Sequence, residues 1–143
     1  MNNLPPFVRN LLVFILAIVA GGLLNQLIIM LSAQVIPPPE GTDLTTLEGI
    51  KKAVPLLEPK HYIMPLLAHA LGTLSAAFII ARWSLNKNLL RSMLAGVFFL
   101  AGGMMAVKMI PAPLWFSITD LVLAYLPMAG LGYLLGYRRT ADF

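Results

Sequence analysis

Apolar residues in this chain come in long unbroken runs. They do not alternate, and they do not form a stripe along one helix face. "LLVFILAIVAGGLL", "YIMPLLAHALGTLSAAFIIARW" and "SMLAGVFFLAGGMMA" are apolar on nearly every side. A helix that is hydrophobic all round belongs in a core or in lipid. Crossing a hydrocarbon layer of about 30 Å at about 1.5 Å per residue takes about 20 residues. Four runs qualify: about Leu11–Ala33, His61–Ala81, Ser92–Ile110 and Leu114–Gly136. Backbone polar groups cannot stay unpaired in lipid, so each run is expected to be a helix.

Prolines mark the joins. "VIPPPEG" stops the first helix, because successive prolines remove donors and clash with the preceding turn. "MIPAPLW" makes a very short turn between the third and fourth helices, which predicts an antiparallel hairpin. Pro65 falls in the opening turn of the second helix, where a missing N–H costs little. Pro127 lies within the fourth helix, and its ring opposes the Leu123 carbonyl, which predicts a kink. The fold expected is all-α: four transmembrane helices in an up-down bundle, forming a single domain over residues 1–143.

The one long connection, Pro37 to Lys60, carries a weaker pattern. Thr45 and Glu48 have capping-box spacing, and Leu44, Leu47, Ile50 and Val54 could share a face. That predicts a short amphipathic helix on the membrane surface, with a lid over the bundle mouth as the alternative.

Composition removes the remaining doubt about class. The chain is 59% hydrophobic and only 11% charged, with mean hydropathy +0.83. A soluble domain carries about 25% charged residues, so too little polar surface exists to cover a globule in water. The first run is longer than a signal-peptide core and lacks a small-x-small cleavage site, so a retained helix is expected. With no cysteine, disulfides, thiolate metal sites and cysteine nucleophiles are excluded.

The net charge of +4 reflects basic residues that flank the apolar runs, not a basic patch with interleaved aromatics, so nucleic acid is not an expected partner. Lipid is. Arg9, Arg82, Lys87, Arg91, Arg138 and Arg139 fall on the side of both termini, against Lys51, Lys52, Lys60 and Lys108 opposite. The positive-inside rule then puts both termini in the cytoplasm. Trp83, Tyr133 and Tyr137 fall near the inner interface, and Tyr62 and Trp115 near the outer one.

Between helices in lipid, small residues replace the hydrophobic effect as the means of close packing. Four such ridges are present: Ala17 with Gly21, Ala68 with Gly72 and Ala76, Gly102 with Ala106, and Gly132 with Gly136. They serve packing within one bundle, and leave room for a homo-oligomer or a membrane-protein partner.

Candidate chemistry sits in a few polar residues inside the runs. Asn25 lies roughly 12 Å from the outer end of the first helix, and His69 comes to a matching depth on the second. Asp120 is about 9 Å into the fourth, and Lys108 ends the third. An imidazole facing lipid would leave its N–H unpaired, so His69 is expected to face inward. Asn25 is its expected partner and Asp120 the next, while Asp120 is expected to pair with Lys108, whose stem can also snorkel. Ionisable residues in a span are candidate functional groups. Asn25, His69, Asp120 and Lys108 are therefore the candidate ligand-binding set, though a His–Asn contact could equally be interhelical glue. No three metal ligands converge, no phosphate loop or nucleophile elbow occurs, and no cofactor is implied. An enzyme lacks its nucleophile.

"PPPEGTD", "AHALGTLSAA", "IPAPLWF" with Asp120, and "YLPMAGLGYLLG" together resemble a group of small bacterial four-helix membrane proteins without an established function. The likeness runs from about Phe14 to Gly136. It implies a bacterial cytoplasmic membrane and a four-helix bundle, and it implies no substrate. The expected function is that of a structural or accessory protein acting through helix–helix contacts; the alternative is a small transporter or ligand- or proton-binding protein using an outward-facing cavity around His69.

Overall fold

The protein was analysed as a computed structural model that describes residues 4–85 and 89–137. Lys87, Arg138 and Arg139, used above for orientation, lie outside the described residues. The described chain is helical, in the order α1 (Pro6–Val35), α2 (Leu47–Ala53), α3 (Ile63–Trp83), α4 (Leu89–Met109), α5 (Leu114–Leu123) and α6 (Leu126–Gly136). α1, α3 with its lead-in from Pro59, α4, and the combined α5–α6 are each long and apolar enough to cross a membrane. Their boundaries agree with the sequence reading, except that the first helix begins earlier, at Pro6, and the third at Leu89.

α3 is the hub. It packs against α1 on one side and α6 on another, and α4 leans on both α3 and α6. α1 meets α4 only slightly. Glycines set the close approaches. A Cβ on Gly21 would come within 2.5 Å of the Gly72 carbonyl oxygen, and one on Gly72 within 2.8 Å of the Gly21 carbonyl oxygen. On the other flank of α3, a Cβ on Gly136 would meet the Phe78 carbonyl oxygen at 2.6 Å, and one on Gly132 would overlap the Leu74 carbonyl oxygen. Backbones this close maximise dispersion contacts where lipid supplies no hydrophobic drive. Three of the four small-residue ridges are therefore consumed inside the molecule.

The tightest packing lies toward the Trp83 end. There Ala17, Ala76, Ile80 and Ala95 form a buried cluster, covered by Phe14, Ile18, Ile79 and Phe99. Polar ties close the same end: Asn10 Oδ1 accepts from the Leu85 N–H at 2.8 Å, and Ser92 Oγ donates to the Ala77 carbonyl at 3.1 Å. Large apolar side chains such as Leu16, Leu23, Met105, Leu114, Val122 and Leu134 point outward. In water they would be a liability, and in lipid they are the solvated face. Tyr62 packs edge-on against Trp115 at 5.6 Å between ring centroids, and the tilted rings of Tyr133 and Tyr137 lie 5.3 Å apart, so the two expected aromatic groups gather at opposite ends.

The fourth span departs from a simple kink. Helical order stops at Leu123 and resumes at Leu126, with Tyr125 at φ −117°, ψ −80° between. Pro127 then sits in the first turn of α6, where it has no N–H to lose. The proline does not bend a continuous helix; it starts a new one.

In the 36–62 connection the helix cap falls one residue later than the sequence spacing suggested. Thr46, not Thr45, caps α2, its hydroxyl accepting from the Gly49 N–H at 3.0 Å. Thr45 instead serves Asp43, whose Oδ1 accepts from the Thr45 N–H at 2.8 Å and hydroxyl at 2.6 Å, while Oδ2 accepts from the Thr46 hydroxyl at 2.8 Å. These bonds hold the Asp43 carboxyl below its ordinary value, because all of them favour the charged form. At the far end of the loop the Glu58 N–H donates to His61 Nδ1 at 2.9 Å, so Nε2 carries the hydrogen and donates to the Pro37 carbonyl at 3.1 Å. The imidazole thus ties the start of the connection to its end.

Candidate functional site

His69 reaches inward from the second turn of α3, and its partner is Asp120 on α5. Nδ1 lies 2.7 Å from Asp120 Oδ1. The Tyr125 hydroxyl donates to Asp120 Oδ2 at 2.9 Å, from the break between α5 and α6. An ionised carboxylate only accepts, so Nδ1 carries the shared hydrogen and the bond is charge-assisted. Asp120 is 3% exposed, which makes these two bonds the satisfaction of a buried anion. The imidazole and phenol rings stack with centroids 5.9 Å apart. Behind the phenol stands Gly103 of α4: a Cβ there would fall on the Tyr125 hydroxyl, so only glycine leaves the phenol its place.

The partnerships expected from sequence therefore change. The sequence makes Asn25 the first expected partner of His69 and Asp120 the second, and gives Asp120 to Lys108. Asp120 takes His69 instead, and among the described residues no ion pair reaches Lys108. The reason is geometric. The break at Ala124–Tyr125 turns the Tyr125 ring back along α5, and together they fill the space around the carboxylate. Lys108 follows Ala106 by two residues, which at about 100° per residue places it on the opposite side of α4.

A cavity of about 220 Å³ adjoins this triad, lined by Asn25, His69, Gly72, Phe99, Gly102, Gly103, Ala106 and Tyr125. It exists because α1 and α4 touch near Phe99 and then part; a Cβ on Gly102 would meet nothing within 4 Å. Phe99 forms its floor, and the space lies toward the end that carries the 36–62 connection. No residue of that connection lines it, so the lid expected as an alternative is not part of the wall. Of the four candidate residues, His69 and Asn25 line the cavity, Asp120 stands one bond behind the wall, and Lys108 is not in the lining.

Asn25 carries the most telling atom. Its Oδ1 is buried and has no hydrogen-bond partner. Leaving such an acceptor unpaired costs about 1–3 kcal/mol. The oxygen is itself out of reach of a water-sized molecule, and the adjoining wall is more apolar than polar. Tyr125 escaped the sequence reading because its spacing of five from Asp120 would not bring the two together on an unbroken helix. Among the described residues no three His, Cys, Asp or Glu side chains gather as a metal site would require.

The fold and the site define a multi-pass membrane protein with a mostly apolar cavity among its helices and a carboxylate–imidazole pair at the cavity wall. Comparison with family models, with curated proteins and with solved structures finds no match to this chain.

Proposed function

We propose that the protein is a small ligand-binding or transporting membrane protein whose site is the cavity at His69. One observation carries this reading. A space large enough for a small molecule is lined by the Asn25 side chain and by an imidazole with one nitrogen uncommitted. Pure structural glue would pair His69 Nε2 with the Asn25 amide N–H and leave no space between them.

The accessory reading, in which the protein acts through helix–helix association, takes second place. Its support is that Gly22 and Gly130 have nothing near their Cβ positions and so remain free for another helix. Against it, the ridges at Gly21, Gly72, Gly132 and Gly136 are already occupied within the molecule.

The membrane we propose is the bacterial cytoplasmic membrane, following the family resemblance. Both termini lie in the cytoplasm, following the excess of Lys and Arg on that side, and the cavity accordingly faces outward.

The test is purification from native membrane in mild detergent followed by native mass spectrometry. A small molecule retained by the wild type and lost from Gly102→Phe, which fills the open side of the cavity, supports the site. His69→Ala is expected to lose the molecule while keeping its helical circular dichroism. A stoichiometric co-purifying protein with no small molecule would instead support the accessory reading.

A further inference from the structure

The cavity wall narrows the class of ligand, given the ligand-binding reading above. Most of the wall is apolar: the Phe99 and Tyr125 rings, the Ala106 methyl, and the surface at Gly72, Gly102 and Gly103. Two polar atoms stay within reach. His69 spends Nδ1 on Asp120, while Nε2, across the ring, makes no hydrogen bond among the described residues. The His69 side chain is 24% exposed, and Nε2 is not one of the unpartnered polar atoms closed to contact. The same holds for Asn25, whose amide nitrogen is open where its oxygen is shut. The Tyr125 hydroxyl is spent on Asp120 and adds nothing to the wall.

The cavity opens sideways. α1 and α4 barely meet, and the surface between them is bare at Gly102, which is exposed and has nothing within 4 Å of its Cβ position. Gly102 lies seven residues inside the Met109 end of α4, a depth of about 10 Å. One turn to either side of it, Phe98 and Met105 are more than half exposed. On a spanning helix that surface touches acyl chains, not water. A ligand that enters there arrives from hydrocarbon. A permanently charged one is expensive to bring by that route. An anion would also approach the Asp120 carboxylate behind the imidazole.

Hydrocarbon also decides what the site selects. An apolar body gains little on leaving lipid for an apolar wall. A hydroxyl gains more, because acyl chains offer it no partner and the cavity offers two. It accepts from the Asn25 N–H and donates to His69 Nε2. Toward a doubly protonated ring it accepts instead, so binding does not hinge on the charge of the imidazole. We propose that the cavity takes a small neutral alcohol with a ring-sized apolar body, directly from the hydrocarbon layer through the gap between α1 and α4. A cavity of about 150 Å³ admits benzene, so about 220 Å³ holds a ring with a short hydroxyalkyl arm.

Two variants separate the contributions. Asn25→Leu keeps a branched side chain and removes the N–H. It also removes the buried unpartnered oxygen, so it is not expected to weaken the bundle. Gly102→Phe fills the open side and leaves the contacts among His69, Asp120 and Tyr125 in place.

The experiment uses the full chain in lipid nanodiscs, with empty nanodiscs as the blank. Benzyl alcohol is the probe, toluene its counterpart without a hydroxyl, and benzylammonium its charged counterpart. Binding is the uptake above the blank, and the nitrogen resonances of isotope-labelled histidine report on His69, with His61→Gln as the assignment control. Benzyl alcohol is expected to bind tighter than either counterpart by tenfold or more and to shift the Nε2 resonance of His69. Asn25→Leu should weaken benzyl alcohol by fivefold or more and leave toluene unchanged, and Gly102→Phe should abolish uptake above the blank. A nitroxide on Gly102→Cys should collide more with oxygen dissolved in lipid than with a nickel chelate in water. Equal binding of benzyl alcohol and toluene, or an unmoved Nε2 resonance, overturns the hydroxyl assignment. Tighter benzylammonium overturns the neutral one, and a nitroxide reached mainly by nickel overturns entry from lipid. If no probe binds, the alcohol assignment falls. The site reading falls with it only if native mass spectrometry also finds no small molecule that Gly102→Phe displaces.

Discussion

At the scale of single residues, the carboxylate of Asp120 decides the arrangement. Its two oxygens are served from two different elements, His69 on α3 and Tyr125 at the α5–α6 break. Removing one donor leaves a buried anionic oxygen unpaired, and that costs more than the bond itself contributes. Tyr125→Phe keeps the ring and its stacking on His69 but deletes the hydroxyl. It is expected to destabilise the protein by about 1–3 kcal/mol, read as a lower thermal midpoint in detergent. An unchanged midpoint would mean that another donor takes the oxygen. From spacing, Asp120 is only the second expected partner of His69, and the Tyr125 bond is not legible at all. The sequence places Asn25 and His69 at similar depth, and both line the cavity. Their rotation about the helix axes could not be inferred, because an apolar pattern that runs all round a helix does not say which face turns inward.

Among the elements, α3 carries the assembly, and glycine is what lets its neighbours approach. Gly132 sits over the Leu74 carbonyl with no room for a Cβ, whereas Gly130, on the same helix, has nothing near its Cβ position. The pair makes an internal control. Gly132→Ala must push α6 away from α3 and is expected to cost about 1–3 kcal/mol, as overpacking does. Gly130→Ala adds no clash and is expected to be neutral or slightly stabilising through helix propensity. Thermal unfolding of both variants in one detergent checks this. Equal effects would show that the α3–α6 contact is looser than described. The small-residue ridges were visible in the sequence as ridges; that Gly132 and Gly136 serve an intramolecular contact was not, since a GxxxG pattern serves either.

For the whole molecule, the spans share a buried cluster toward the Trp83 end, while α1 and α4 leave a space between them beyond it. The cavity follows from that asymmetry, because α1 and α4 share a cluster around Phe99 and diverge beyond it. The even number of spans puts both termini on one side, and the 36–62 connection on the other. The absence of cysteine makes orientation easy to read from single-cysteine variants. A membrane-impermeant maleimide is expected to label Lys52→Cys in intact cells and Leu4→Cys only after lysis. The reverse pattern would invert the topology and turn the cavity inward.

The sequence by itself determined the number of spans, their ends and the joins between them. Hydrocarbon imposes length and composition locally, and proline acts on its own turn, so both are written in short stretches of chain. The tertiary structure alone decided which polar residues meet. Whether His69 finds Asn25 or Asp120 depends on how far each helix is rotated and on where the fourth span breaks. Those angles are fixed by glycine contacts between segments some 50 residues apart, and no stretch of apolar sequence encodes them.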